Sequence, residues 1–197
     1  MRALGANAEQ LADSLARWAH DFELERITTN LFKRGEQKDL EREIQGEFGF
    51  RIRIQHDYIV TQKNDSLAFV RFMRYLPERW FAVVWGALPA DGELTPELIY
   101  NRRREIGAAF LDPVMSYDDR WTAEPTTLAG RPATLIRGLW ATLDPTGGGP
   151  FFTYGVAVPE QSRYYLIDGA VFAPGQEKVP VLWQLDAIAR TFDPTPG

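Results

Sequence analysis

Two histidines, His20 and His56, are the only imidazoles in 197 residues, and there is no cysteine. Nucleophilic catalysis of the Ser-His-Asp kind needs a base held against a hydroxyl by a third group. His20 lies one residue past Ala19 on an amphipathic stretch, and His56 stands beside Asp57 at the end of an alternating segment. Neither has a Gly-x-Ser-x-Gly elbow near it. Without cysteine there is no disulfide, no thiol nucleophile and no Cys-based zinc site. Two isolated histidines lack metal-ligand spacing. The sequence therefore supplies no catalytic residue and no metal site, and it implies no cofactor. Paired carboxylates for acid–base work stay open in principle, but 27 acidic residues single out no pair.

Charges in apolar surroundings are more informative. Arg137 sits inside Leu135-Ile136-Arg137-Gly138-Leu139-Trp140, and Asp168 inside Ile167-Asp168-Gly169. An unpaired charge in a covered sheet costs several kcal/mol, so each needs a partner. Two readings follow: a structural Arg137–Asp168 ion pair, or a pocket in which Arg137 grips a carboxylate or phosphate. Arg102-Arg103-Arg104-Glu105 fans around a helix and makes no flat patch, although one member, Arg104, can meet an anion. Gly147-Gly148-Gly149 lacks the Lys-Ser/Thr of a phosphate loop and precedes a strand, not a helix. It reads as a tight connection, or as a glycine-lined rim where a ligand or partner backbone comes close. Ligand- or partner-binding candidates are thus Arg137, Trp140, Phe152, Tyr154 and Arg104.

The elements that position these residues follow from periodicity. Asn7 and Gln10 have capping-box spacing, and Leu11, Leu15, Trp18, Ala19 and Phe22 form one helical stripe. A second helix is expected over 37–47. The period then changes to two, with Phe50, Ile52 and Ile54 predicting a first strand. Further strands are expected over 67–76 and 80–88. Thr95-Pro96 opens a helix that ends before Pro113, and a loop carries Tyr117, Asp118, Asp119 and Arg120. Four strands follow, over 121–127, 133–143, 151–158 and 164–172, and then a helix over 177–192. Runs of strands joined by short turns make antiparallel meanders. Several strands, 80–88 above all, are apolar on both faces. The expected fold is α+β, a mainly antiparallel sheet with helices on both faces. Its expected domain limits are an N-terminal helical segment 1–34, one sandwich domain 35–192 and a frayed tail 193–197.

Net charge is −5 and pI about 5.2, which disfavours nucleic acid, since phosphates call for a basic surface. No run approaches the roughly 18 apolar residues of a membrane span, and the residues before the first helix are not expected to form a signal peptide.

The second half carries recognisable wording: Arg137-Gly138-Leu139-Trp140, Gly148-Gly149-Pro150-Phe151-Phe152-Thr153-Tyr154, Asp168 to Gly175, and Leu185-Asp186-Ala187-Ile188. Over about residues 35–192 this resembles domain-of-unknown-function family 4837, uncharacterised bacterial envelope proteins of lipoprotein type. The chain departs from that family in having Asp168 where Glu is usual and Gly147 where Met is usual. The resemblance implies an envelope location and a chain that is the C-terminal part of something longer, and it implies no activity. The order of elements is also similar to the Mog1/PsbP-type α/β/α sandwich, a fold-level analogy only. Taken together, the sequence points to a non-catalytic envelope domain binding a partner protein or small ligand. A carboxylate-based hydrolase and a purely structural domain are the alternatives.

Overall fold

The computed structural model describes residues 11, 14, 15, 19, 22–110, 115–117, 120–142 and 146–195, without the side chains of 110 and 115–117. The capping box at Asn7 and Gln10, His20, and Asp118 and Asp119 lie outside them. Helical residues 22–31 (α1) and Lys38–Phe48 (α2) precede a hairpin run of β1 (Ile59–Asn64), β2 (Phe69–Arg74) and β3 (Glu78–Ala87). Helix α3 (Pro96–Phe110) leads to β4 (Met115–Tyr117), β5 (Thr122–Leu128), β6 (Arg131–Thr142), β7 (Gly148–Val158) and β8 (Arg163–Phe172), and α4 (Val179–Ala189) closes the chain.

All eight strands join one antiparallel sheet in the order β1-β2-β3-β8-β7-β6-β4, with β5 pairing β6 as well. The two halves meet where β3 pairs β8, which places the most apolar strands at the centre. Alternation then sorts side chains between two cores. Phe72, Phe81, Tyr165, Ile167 and Tyr154 face α1, α2 and α4, while Trp80, Leu166, Phe151, Ile136 and Trp140 face α3. Helices on both faces of an antiparallel sheet are what the doubly apolar strands require.

Helix α3 starts as its residues dictate: Thr95 Oγ1 accepts from Leu98 N at 3.2 Å, and Pro96 occupies the first turn. It sits close to the sheet because Gly155 offers no side chain; a Cβ there would lie 2.3 Å from Ile99 Cδ1.

One expected strand is not in the sheet. Phe50, Ile52 and Ile54 are buried as the alternation demands, but residues 50–55 pair only through isolated bridges, Arg51 with Asp193 and Glu36 with Gln55. Alternation reports a half-buried extended chain, and it is blind to whether a neighbouring strand offers backbone partners. Strands β1 and β4 escaped the sequence reading. β1 is an edge strand that buries little, so its alternation carries few large apolar residues.

The glycine run resolves into the start of β7. A Cβ on Gly149 would stand 1.9 Å from the carbonyl oxygen of Val171. The backbone that approaches this glycine is therefore the chain's own β8. Because no rotamer can relieve a clash with backbone, Gly149→Ala is expected to destabilise the fold by about 2 kcal/mol or more, read as a lowered urea midpoint. An unchanged midpoint would show that the close β7–β8 approach is not required.

Candidate functional site

Register decides what the candidate residues can touch. Arg137 pairs with Phe152 and Phe152 with Gly169, whereas Asp168 pairs with Thr153 and Thr153 with Ile136. Arg137 and Asp168 are thus one residue out of step and point to opposite faces, so the expected Arg137–Asp168 ion pair does not form. Arg137 is half exposed and pairs with Glu124 on the neighbouring β5. Helix α4 covers β8, β7 and β3, and the apolar strand β6 therefore leaves Arg137 at the edge of that cover.

Asp168 is buried under α3, where its Oδ1 accepts from Arg103 Nε at 2.5 Å and from Thr153 Oγ1 at 2.7 Å. The Arg103 guanidinium also lies 3.6 Å over the Phe151 ring. The arginine run behaves as helical geometry requires: Arg102 reaches Glu105 and the Leu67 carbonyl, Arg103 turns inward and Arg104 is exposed. Arg71 lies in the same cross-strand row as Asp168, separated by the small Ala82, and packs 5.2 Å from the Trp80 ring.

Of the five binding candidates, three come together. Arg137, Phe152 and Tyr154 line a cavity of about 150 Å3 beside α4, with Leu135, Trp183 and Asp186. Tyr154 donates to Asp186 Oδ1 at 2.5 Å, and burial, with the adjacent carboxylate, pushes its phenol up from the ordinary range. Trp140 lies on the α3 face against Trp80, and Arg104 lies outside this cavity.

A larger cleft of about 790 Å3 opens on the other side of Trp183, between α1, α4 and the β2–β3 turn. Its floor is Arg79, 3% exposed. Nε donates to Tyr58 OH at 3.1 Å and Nη2 to Gln184 Oε1 at 3.0 Å. Arg79 makes no ion pair among the described residues. Three more arginines, Arg26, Arg34 and Arg74, line the cleft, as do Asn30, Gln55, Gln176 and Gln184. Arg26 is held by Glu23 and Arg74 by Asp57 at 2.7 Å.

Helix α2 and its N-cap residue Gln37 build this floor. Gln37 Nε2 donates to the carbonyls of Gln55 at 2.9 Å and Tyr58 at 2.6 Å, and Glu41 Oε1 accepts from Ile54 N at 2.8 Å. These bonds fix the 54–58 turn and thereby the phenol against which Arg79 rests. Just outside it, Arg53 pairs with Glu36 and holds that carboxyl down at about 2. The sequence reading missed Arg79, Tyr58 and Gln55. The signal was present: Arg79, Phe81 and Val83 share one parity in a strand whose two faces are both apolar, which places a guanidinium inside.

Residues 37–191 match the family described as domain of unknown function DUF4837, and the chain belongs to that family. Comparison with curated proteins finds no match. Among solved structures, the Saccharomyces cerevisiae Ran-binding protein Mog1p is similar at 11% identity, with a TM-score of 0.48 and coverage of 73% of this chain and 88% of that one. A point mutant of the protein Mog1 is similar at 10% identity, with the same TM-score and coverage of 73% and 89%. These are likenesses of overall chain path.

The buried Arg103–Asp168 pair ties α3 to the sheet. Arg103→Met strands the Asp168 carboxylate and is expected to cost about 3–5 kcal/mol in urea unfolding. A loss below about 1 kcal/mol would show that α3 is not anchored through this pair.

Proposed function

We propose that this chain is a non-catalytic binding domain and that the cleft between α1, α4 and the β2–β3 turn receives its ligand. The observation that carries this reading is the cleft's size and floor. About 790 Å3 falls within the range of small-molecule sites, and convergent polar groups in such a pocket are the usual mark of one. Its polar groups are positioned by secondary structure and by bonds from α2, which is the support a specific site needs.

A carboxylate-based hydrolase would need two carboxylates converging on one bond. Among the described residues that line the cleft, Glu23 is the one carboxylate, and Arg26 occupies it. Partner docking is the second reading. The helical stripe supports it, because Leu11, Leu15 and Phe22 are 61%, 57% and 59% exposed. An envelope location, implied by the resemblance to bacterial lipoprotein-type chains, belongs to the same proposal.

The cleft reading is tested by titrating the isotope-labelled chain with a library of small polar compounds and following backbone amide shifts. Shifts are expected to cluster at residues 26–34, 55–58, 74–79 and 176–184. Shifts confined to the stripe at Leu11–Phe22, or to the cavity at Arg137, would contradict it.

A further inference from the structure

We infer that the cleft takes a peptide-like carboxylate, seated end-on against Arg79 with its terminal N–H directed to Gln55. This rests on reading the cleft as the ligand site, and it adds the class of ligand.

The guanidinium has five N–H donors. Arg79 uses Nε on Tyr58 and one Nη2 hydrogen on Gln184, which leaves both Nη1 hydrogens and the second of Nη2. Those form the end-on fork that matches the two oxygens of a carboxylate. Both present partners are neutral. Burial raises the Tyr58 phenol above its ordinary range, so it stays protonated and supplies no countercharge. A cation 3% exposed with neutral acceptors alone calls for an anion, and the open side of Arg79 is the cleft.

The charge of that anion follows from the surrounding cations. Arg26 and Arg74 already face Glu23 and Asp57. One buried positive charge is left at the floor, which suits a single negative charge better than a phosphate dianion. Arg34 is exposed and without an ion pair among the described residues, and from the rim it attracts an anion by its field.

Gln55 supplies the second, independent feature. The residue is 6% exposed and lines the same cleft, and its buried Oε1 accepts no hydrogen bond among the described residues. A buried acceptor left open costs free energy until a donor reaches it. The last residue of a peptide, or an N-acyl amino acid, presents a carboxylate and an N–H on the two sides of one Cα. Asn30 and Gln184 add amides that can pair with further peptide groups, and Trp183 forms an apolar wall beside them.

The test is calorimetric titration of the full chain, at low ionic strength, with three probes: N-acetyl-trialanine bearing a free carboxylate, the same peptide as its C-terminal carboxamide, and inorganic phosphate. The acid is expected to bind, the carboxamide to bind at least about 30-fold more weakly, and phosphate to bind more weakly than the acid. Arg79→Met is expected to abolish the preference for acid over carboxamide. Arg79→Lys keeps the charge without the fork and is expected to weaken the acid measurably. Arg34→Glu, an exposed change, is expected to weaken it at low salt only. Equal binding of acid and carboxamide, tighter binding of phosphate, or an acid preference that survives both Arg79 substitutions would overturn the carboxylate assignment. If the acid fails while other compounds still shift cleft amides, the assignment falls and the cleft stands; if no compound shifts them, both fall.

Discussion

A guanidinium taken out of water must be met by acceptors, and three are buried among the described residues. Arg71, Arg79 and Arg103 all lie inside the sandwich, on strands or a helix whose apolar neighbours drive the burial. How each charge is met separates structure from site. Arg103 finds Asp168, with Thr153 completing the carboxylate, and the result is a closed ionic anchor between α3 and the sheet. Arg71 packs against the Trp80 ring in the same row as Asp168. Arg79, on the opposite face, is met by a phenol and a carboxamide. The same chemical demand is answered by an anion in one core and left to neutral dipoles in the other.

That asymmetry depends on what the helices cover. Helix α3 seats itself flat on its face because Gly155 admits Ile99, and its core is closed by Trp80, Trp140 and Phe151. On the other face, α4 lies over the centre of the sheet, and α2 clamps the 54–58 turn through Gln37 and Glu41. Two openings flank Trp183: the small cavity at Arg137 and Tyr154, and the wide cleft at Arg79. The first has its charges already matched, Arg137 by Glu124 and Asp186 by Tyr154 and Arg190. The second does not, and this is why the ligand reading attaches to it.

Much of the fold was legible in the residues. The doubly apolar strand around Trp80–Val84 demanded cover on both sides, and Thr95-Pro96 marked a helix start that the structure keeps. The antiparallel order followed from the short turns. The segment at Phe50–Ile54 shows the limit, since burial and alternation are local while strand pairing is not. The site was less legible for a related reason. Counting parity within β6 and β8 separately cannot show that Arg137 and Asp168 fall on opposite faces; that needs the register across β7. Arg79 was overlooked because it stands at a strand start after Pro77, where a charge reads as surface. Tyr58 and Gln55 belong to a turn whose position is set by side chains of α2, a long-range effect with no local signature.

Arg79, buried with neutral partners, is kept for a ligand and not for the fold. Equilibrium urea unfolding of Arg79→Met in the absence of any ligand tests it most directly. A buried cation without a countercharge weakens the empty protein, so replacing it with an apolar side chain of similar length is predicted to leave the unfolding midpoint unchanged or to raise it. A stability loss of about 2 kcal/mol or more would show that Tyr58 and Gln184 satisfy Arg79 as a structural group, and that it is not held for a ligand.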